Sequence, residues 1–138
     1  MGVPIVSPVT NLAAVASAVG KVAEVKLIGK GFLMKLAVEE ITNDHEGFDV
    51  YVYDRASVYN ADGTAGVDAA AEAVLRVIPK QTVASSGTLL FFFDASGVPF
   101  VNKDGTLSNN ERQLYVRVVP SGNGNKDYRI HAAGTSVA

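Results

Sequence analysis

Along most of this chain apolar and polar residues alternate with a period of two, in short runs divided by Gly, Asn, Asp and Pro. Within residues 22–28, Ala23, Val25 and Leu27 fall on one side of an extended segment and Glu24 and Lys26 on the other, the signature of a half-buried strand. Residues 32–38 repeat it, with Phe32, Met34, Leu36 and Val38 together and Lys35 opposite. Gly29-Lys30-Gly31 between them predicts a tight loop, so the two segments are expected to form a hairpin. Further on, Phe48, Val50 and Val52 alternate with Asp49, Tyr51 and Tyr53. Ala73, Leu75 and Val77 alternate with Val74, Arg76 and Ile78, and Leu114, Val116 and Val118 with Tyr115, Arg117 and Val119. Residues 128–132 close the pattern. Residues 89–93, LLFFF, are apolar on both faces, which suits a central strand buried from above and below or one whose outer face meets another chain. Helical periodicity is almost absent. Asp68 before an Ala-rich stretch allows one helical turn, since Asp is a good N-cap and Ala the best helix former.

A unit of strand, polar turn and strand is written twice. NADGT at residues 60–64 recurs as NKDGT at 102–106. Upstream stand FDVYVYDRAS and TLLFFFDAS; downstream stand VLRVIP and YVRVVP, each Arg-centred and stopped by Pro. Two equivalent halves of one β fold are therefore expected. About eight short strands with turns at near-regular spacing predict an all-β sandwich or barrel. Duplicated strand pairs joined by long loops favour an eight-stranded jelly-roll-like sandwich of two Greek keys, with an immunoglobulin-like sandwich as the alternative. Residues 1–20 carry no charge and two prolines, and read as an extended N-terminal arm ahead of a single all-β domain over residues 21–138. The piece after Asn11 could also be a short helix.

Composition narrows the partners. With 12 basic and 14 acidic residues well mixed, for a net charge of −2, there is no electrostatic footprint for nucleic acid or an acidic membrane surface. The longest early apolar stretch, LAAVASAVG, is too short to span a bilayer, and no basic segment precedes it, so neither an anchor nor a targeting segment is expected. Without cysteine there are no disulfides or thiolate metal sites. Hydrophobic residues make up 48% and charged residues only 19%, against about 25% charged in an average soluble chain. A partner covering part of the surface is expected.

Candidate chemistry is sparse. Asn102, Asp104, Gly105 and Glu111 fall at loop positions 3, 5, 6 and 12 of the EF-hand pattern, but Phe100 holds the first position and no flanking helices are expected. Structural Asx turns explain both NxDGT copies more simply. Asp44-His45-Glu46, with His131 as a distal partner, groups possible metal ligands, yet adjacent residues point apart and a solvated loop is the simpler reading. Ser85-Ser86 lacks a nucleophile elbow, and the carboxylate pairs Glu39 with Glu40 and Asp54 with Asp94 read as strand or strand-end residues. No catalytic residue, cofactor or metal is expected. Arg76 and Arg117 occupy matching places in apolar strands, either outward on a solvated face or paired with an acid across a subunit interface. Tyr51, Tyr53, Tyr115 and Tyr128 supply aromatic area for a sugar platform or a protein interface.

Taken whole, the uncharged arms MGVPIVSPVTNLAAVASAVG and HAAGTSVA, the all-β body and the Gly/Asn/Asp-rich loops resemble the small cement or decoration proteins of tailed-phage capsids. The resemblance implies a non-enzymatic structural virion protein on the capsid exterior, assembled in the host cytoplasm. Its partners would be the major capsid protein, bridged between neighbouring subunits, and itself; since closed two-fold pairs are the commonest assembly, a homodimer is expected first and a trimer second. Low charge selects Val3, Ile5, Val6, Leu12, Phe91 and Phe93, with Arg76 and Arg117, as expected interface residues. A carbohydrate-binding jelly-roll module and a calcium-stabilised structural module are the alternatives.

Overall fold

In the computed structural model, which describes residues 2–42, 46–85, 87–93, 97–102, 112–122 and 125–137, two antiparallel sheets face each other. The first contains β1 (Val3–Val6), β2 (Thr10–Ala16), β4 (Gly29–Glu40), β7 (Thr88–Phe92), β8 (Val98–Asn102) and β10 (Asn125–Ser136). The second contains β3 (Lys21–Val25), β5 (Phe48–Tyr53), β6 (Gln81–Val83) and β9 (Leu114–Pro120), in the order β3-β9-β5-β6. In the first sheet β1 and β2 lie end to end along one side of β10, and β8 and β7 end to end along the far side of β4. The strands thus occupy eight positions, four per sheet, and consecutive positions cross between sheets in the jelly-roll manner except β5 and β6, which pair within the second.

The break between β1 and β2 has a local cause. Pro8 has no N–H to donate, and just before it Ser7 replaces a ladder step: its N–H donates to the Ala132 carbonyl at 2.8 Å and its Oγ accepts from the Ala132 N–H at 2.8 Å. A register shift in the β2–β10 pairing follows between Lys126 and Tyr128. Ala14 takes a φ of 53° there, and its N–H is accepted by the Asp127 carboxylate at 2.9 Å. The uncharged N-terminal segment is therefore strand, not helix, and Leu12 and Val15 are buried in the core.

The core lies between the sheets. Phe48, Val50 and Val52 of β5 and Leu114, Val116 and Val118 of β9 meet Leu33, Leu36 and Val38 of β4 and Tyr128, Ile130 and Ala132 of β10. Phe48 and Tyr128 join the two layers edge to face, ring centroids 5.0 Å apart. Burying side chains of this size stabilises by about 1.5–3 kcal/mol each, before the entropy of ordering them.

The expected hairpin of residues 22–38 does not form. β3 pairs with β9, while β4 pairs with β10, β7 and β8 in the opposite sheet. Residues 26–28 cross between them, held by the buried Gln113 side chain, whose Nε2 donates to the Leu27 carbonyl at 2.7 Å and whose Oε1 accepts from the Leu27 N–H at 3.3 Å. Gly31 lies within β4, where a side chain would meet the Thr135 carbonyl oxygen at 2.0 Å; the glycine permits close approach of β10, not a turn. The two repeat copies are not equivalent either. β5 and β9 are interior neighbours in one sheet, but VLRVIP makes only a single bridge, Tyr53 with Arg76, and TLLFF becomes the edge strand β7. Asp94 and the second NxDGT from Lys103 onward lie outside the described residues.

Candidate functional site

The two sheets differ in what lies on their outer faces. Over the second sheet the chain folds back on itself: residues 54–80 run across β5 and β9 as turns and one short 3-10 helix, Ala69–Val74. Three contacts seat this cover. Tyr51 on β5 stands opposite Arg117 on β9, and the Arg117 guanidinium carbon is 5.3 Å from the Tyr51 ring centre and 3.8 Å from that of Tyr59 in the cover. A second guanidinium, Arg76, lies 5.1 Å over the same Tyr51 ring and is gripped by both oxygens of Glu72, at 2.6 and 2.7 Å. Such cation–π contacts contribute about 0.5–2 kcal/mol each, depending on how far water is excluded. The third is the NADGT turn. Asp62 Oδ1 accepts from the N–H and hydroxyl of Thr64, Asn60 and Thr64 close on each other, and Gly63, at φ 89°, lies so close to the β2–β3 turn that a side chain would meet the Gly20 carbonyl oxygen at 2.1 Å.

The cover changes the electrostatics beneath it. Burial pushes the Tyr53 hydroxyl well above its ordinary value, with the neighbouring Glu72 carboxylate adding to the effect. Tyr115 is pushed up to about 12, again by burial first and by Glu24 second. The hydrogen bond from Arg76 holds Glu72 below the usual carboxylate range. All of this is internal structure. Arg76 and Arg117 find their partners within the chain, in Glu72, the tyrosine rings and the Val19 carbonyl, 3.3 Å from Arg117 Nη2. Tyr53 is 1% exposed and Tyr51 is flanked by cations, so these two tyrosines do not form a solvent-facing platform for stacking a sugar.

The first sheet has no such cover among the described residues. Register places its outward side chains in rows. One row runs Val6, Ala133, Lys35, Phe92 across β1, β10, β4 and β7; the next runs His131, Ala37, Leu90; at the other end run Pro4, Thr135, Phe32, Pro99. Val6 is 75% exposed, Phe92 66%, Leu90 53% and Phe32 37%. The Arg129–Glu39 pair at 3.8 Å and Lys35 are the charges set among these rows. Around the β1 end, Ile5, Val6, Pro8, Leu27 and Ile28, with Lys26, line an apolar groove of about 360 Å³. At the opposite side, below β7, Val77, Ile78, Pro79, Phe91, Phe93 and Val98 line a cleft of about 410 Å³.

Of the expected interface residues, the structure brings Val3, Ile5 and Val6 together on β1, with Val3 and Val6 on the surface. Leu12 and Phe93 are corrected: both are packed in the chain's own core, facing the other sheet. Phe91 also points inward, against Phe93 at 5.2 Å between ring centroids. Leu90 and Phe92, covered in the sequence only by the 89–93 run whose outer face could meet another chain, and Phe32 and Ile28, which the sequence did not single out, are exposed as well. The signal for the first two was present, because an apolar run with both faces greasy on an edge strand must expose every second residue. Glu39 and Glu40 point to opposite sides of β4, and Asp54 pairs with Arg55 and Arg112. Asn43, Asp44 and His45 lie outside the described residues, and the described ones contain no group of three metal-ligating side chains. No described helix is long and apolar enough to cross a membrane.

No protein-family model and no curated protein sequence matches the chain. Among solved structures, a chain of sacbrood virus of honeybee in expansion state II is similar over 99% of this chain and 88% of its own length, with a TM-score of 0.51 at 9% identity. A second sacbrood virus chain covers 99% and 76%, at a TM-score of 0.49 and 9% identity. A chain of the cyanophage Pam1 capsid asymmetric unit covers 99% and 86%, at a TM-score of 0.42 and 16% identity. The first of these likenesses establishes a shared fold, the eight-position jelly roll.

Proposed function

We propose that this chain is a non-enzymatic structural component of a tailed-phage virion, a decoration or cement subunit that lies on the capsid exterior and bridges neighbouring major capsid subunits. The observation that carries the reading is the contrast between a covered second sheet and a first sheet with Val6, Phe32, Leu90 and Phe92 open to solvent. Exposed apolar residues arranged contiguously mark interaction surfaces, and burial of apolar area contributes about 25 cal/mol per Å² to association. The jelly roll shared with a chain of a virus particle supports the same reading. Many copies on a shell would add their weak contacts multivalently.

The test uses shells assembled from a major capsid protein encoded in the same genome as this chain. Sedimented together, native chain is expected to bind saturably, while Phe92→Asp and Phe32→Asp remain in the supernatant with unchanged melting temperatures. Native chain that never co-sediments sinks the reading.

A further inference from the structure

We infer that the free edge of β7 is a self-pairing site, through which two copies of this chain join their first sheets across a two-fold axis. This concerns the chain's association with itself and holds whether or not a shell is its other partner.

The hydrogen-bond phase of β7 sets the site. The Phe93 N–H donates to the Met34 carbonyl at 2.9 Å, and the Gly87 carbonyl accepts from the Glu40 N–H at 3.0 Å. Both belong to one unbroken antiparallel register with β4, so the odd-numbered residues spend their main-chain groups on β4. The N–H and C=O of Thr88, Leu90 and Phe92 therefore point away from β4, to an edge with which no described strand pairs.

Other strands on the sheet edges carry devices that discourage pairing: β1 has Pro4, β2 is broken by a bulge with Ala14 at φ 53°, β8 has Pro99, β3 has Lys21 and Glu24, and β6 is three residues long behind Pro79 and Lys80. β7 reads TLLFF, with no charge and no proline. An unprotected edge of this kind is a template for an added strand.

The occupant it fits is a second β7. Centred on Leu90, an antiparallel pair sets Leu90 against Leu90 of the second copy and Thr88 against Phe92, and each of these residues can exchange both main-chain bonds with its opposite. The arrangement is isologous, as a closed two-fold contact requires. No charged residue lies within the paired segment. The exposed Leu90 and Phe92 side chains gain cross-strand partners on the outer face, and on the inner side the cleft under Phe91 and Phe93 gives the incoming strand's Leu89 and Phe91 an apolar seat of about 410 Å³. A five-residue edge and one cleft make a small interface, under about 1,200 Å², so the dimer dissociates on dilution.

Sedimentation across a concentration series reads it. The native chain is expected to shift from monomer to dimer as concentration rises. Leu90→Pro removes an N–H that β4 does not use, and Leu90→Lys sets two ammonium groups together on the axis; both are expected to remain monomeric at every concentration with the native melting temperature. As the contrast, Leu89→Pro removes an N–H bonded to β4 and lowers the melting temperature. A native chain monomeric throughout, or a dimer that survives Leu90→Pro and Leu90→Lys in folded protein, overturns the proposal. Shell binding is a separate readout, so either reading can fail while the other stands.

Discussion

The two sheets of this protein share one core and treat their outer faces in opposite ways. The second sheet buries its outer face under residues 54–80, clamped by Arg117 between Tyr51 and Tyr59 and by the Glu72–Arg76 pair. The first leaves Val6, Phe32, Leu90 and Phe92 exposed, with a β7 edge that no described strand pairs. Polar and aromatic groups that look like ligand-binding chemistry in the sequence thus act within the molecule, and the residues available to a partner are plain hydrophobes. The cover is itself not wholly polar, since Val67 and Val74 lie exposed on it. What separates the two faces is whether the sheet itself is sealed.

The sharpest way to break this contrast is to unseat the cover. Gly63→Val forces a branched side chain into φ 89° and against the Gly20 carbonyl oxygen, at a cost of more than about 2 kcal/mol. Urea unfolding is expected to show that loss, and hydrogen exchange to show lost protection in residues 54–80 first. A variant with native stability would mean the NADGT turn is not the anchor described here.

A gentler probe is the Arg117–Tyr59 contact, tested by a double-mutant cycle of Arg117→Ala and Tyr59→Ala. A coupling of about 0.5–2 kcal/mol in urea unfolding is expected, and additive single effects would remove the clamp from the account.

Acid sharpens the same point. Glu72 has a folded pKa below its ordinary value because Arg76 donates to it, so its contribution is fully present above the unfolded value and is lost as pH falls through the folded one. The native chain is expected to lose stability between about pH 5 and pH 3 more steeply than Glu72→Gln, read from urea midpoints. In alkali the sign reverses. Tyr115, raised from 10.0 to about 12, contributes stability that is full below 10 and disappears as pH climbs towards 12, and Tyr115→Phe is expected to flatten that limb.

The smallest effect on folding is expected on the bare face. Phe92→Ser removes a side chain that is 66% exposed and is expected to move stability by no more than about 0.5 kcal/mol, while raising solubility. A loss comparable to a core truncation would show that Phe92 is covered after all.

Much of the architecture was readable from alternation alone. Val50 and Val52 point inward and Tyr51 outward on β5, and Leu114, Val116 and Val118 point inward on β9, as their spacing requires. The jelly-roll class followed from strand number and turn spacing, and the NADGT turn is the Asx structure its residues favour. The 22–38 hairpin and the equivalence of the repeats were misread, because alternation says which side a residue faces and nothing of the strand beside it.

What the chain determined by itself is local: side-chain direction within an unbroken strand, turn chemistry and the scarcity of helix, all set by backbone geometry within a few residues; the register shift opposite Met34 turns Phe32 outward while Leu36 and Val38 face the core. Tertiary structure decided which sheet each strand joined, that LLFFF became an edge and not a centre, and that residues 54–80 cover one sheet while no described segment covers the other. Those outcomes rest on pairings between residues far apart in sequence, such as Val3 with Ser136 and Arg117 with Val19, whose free energy no local window contains.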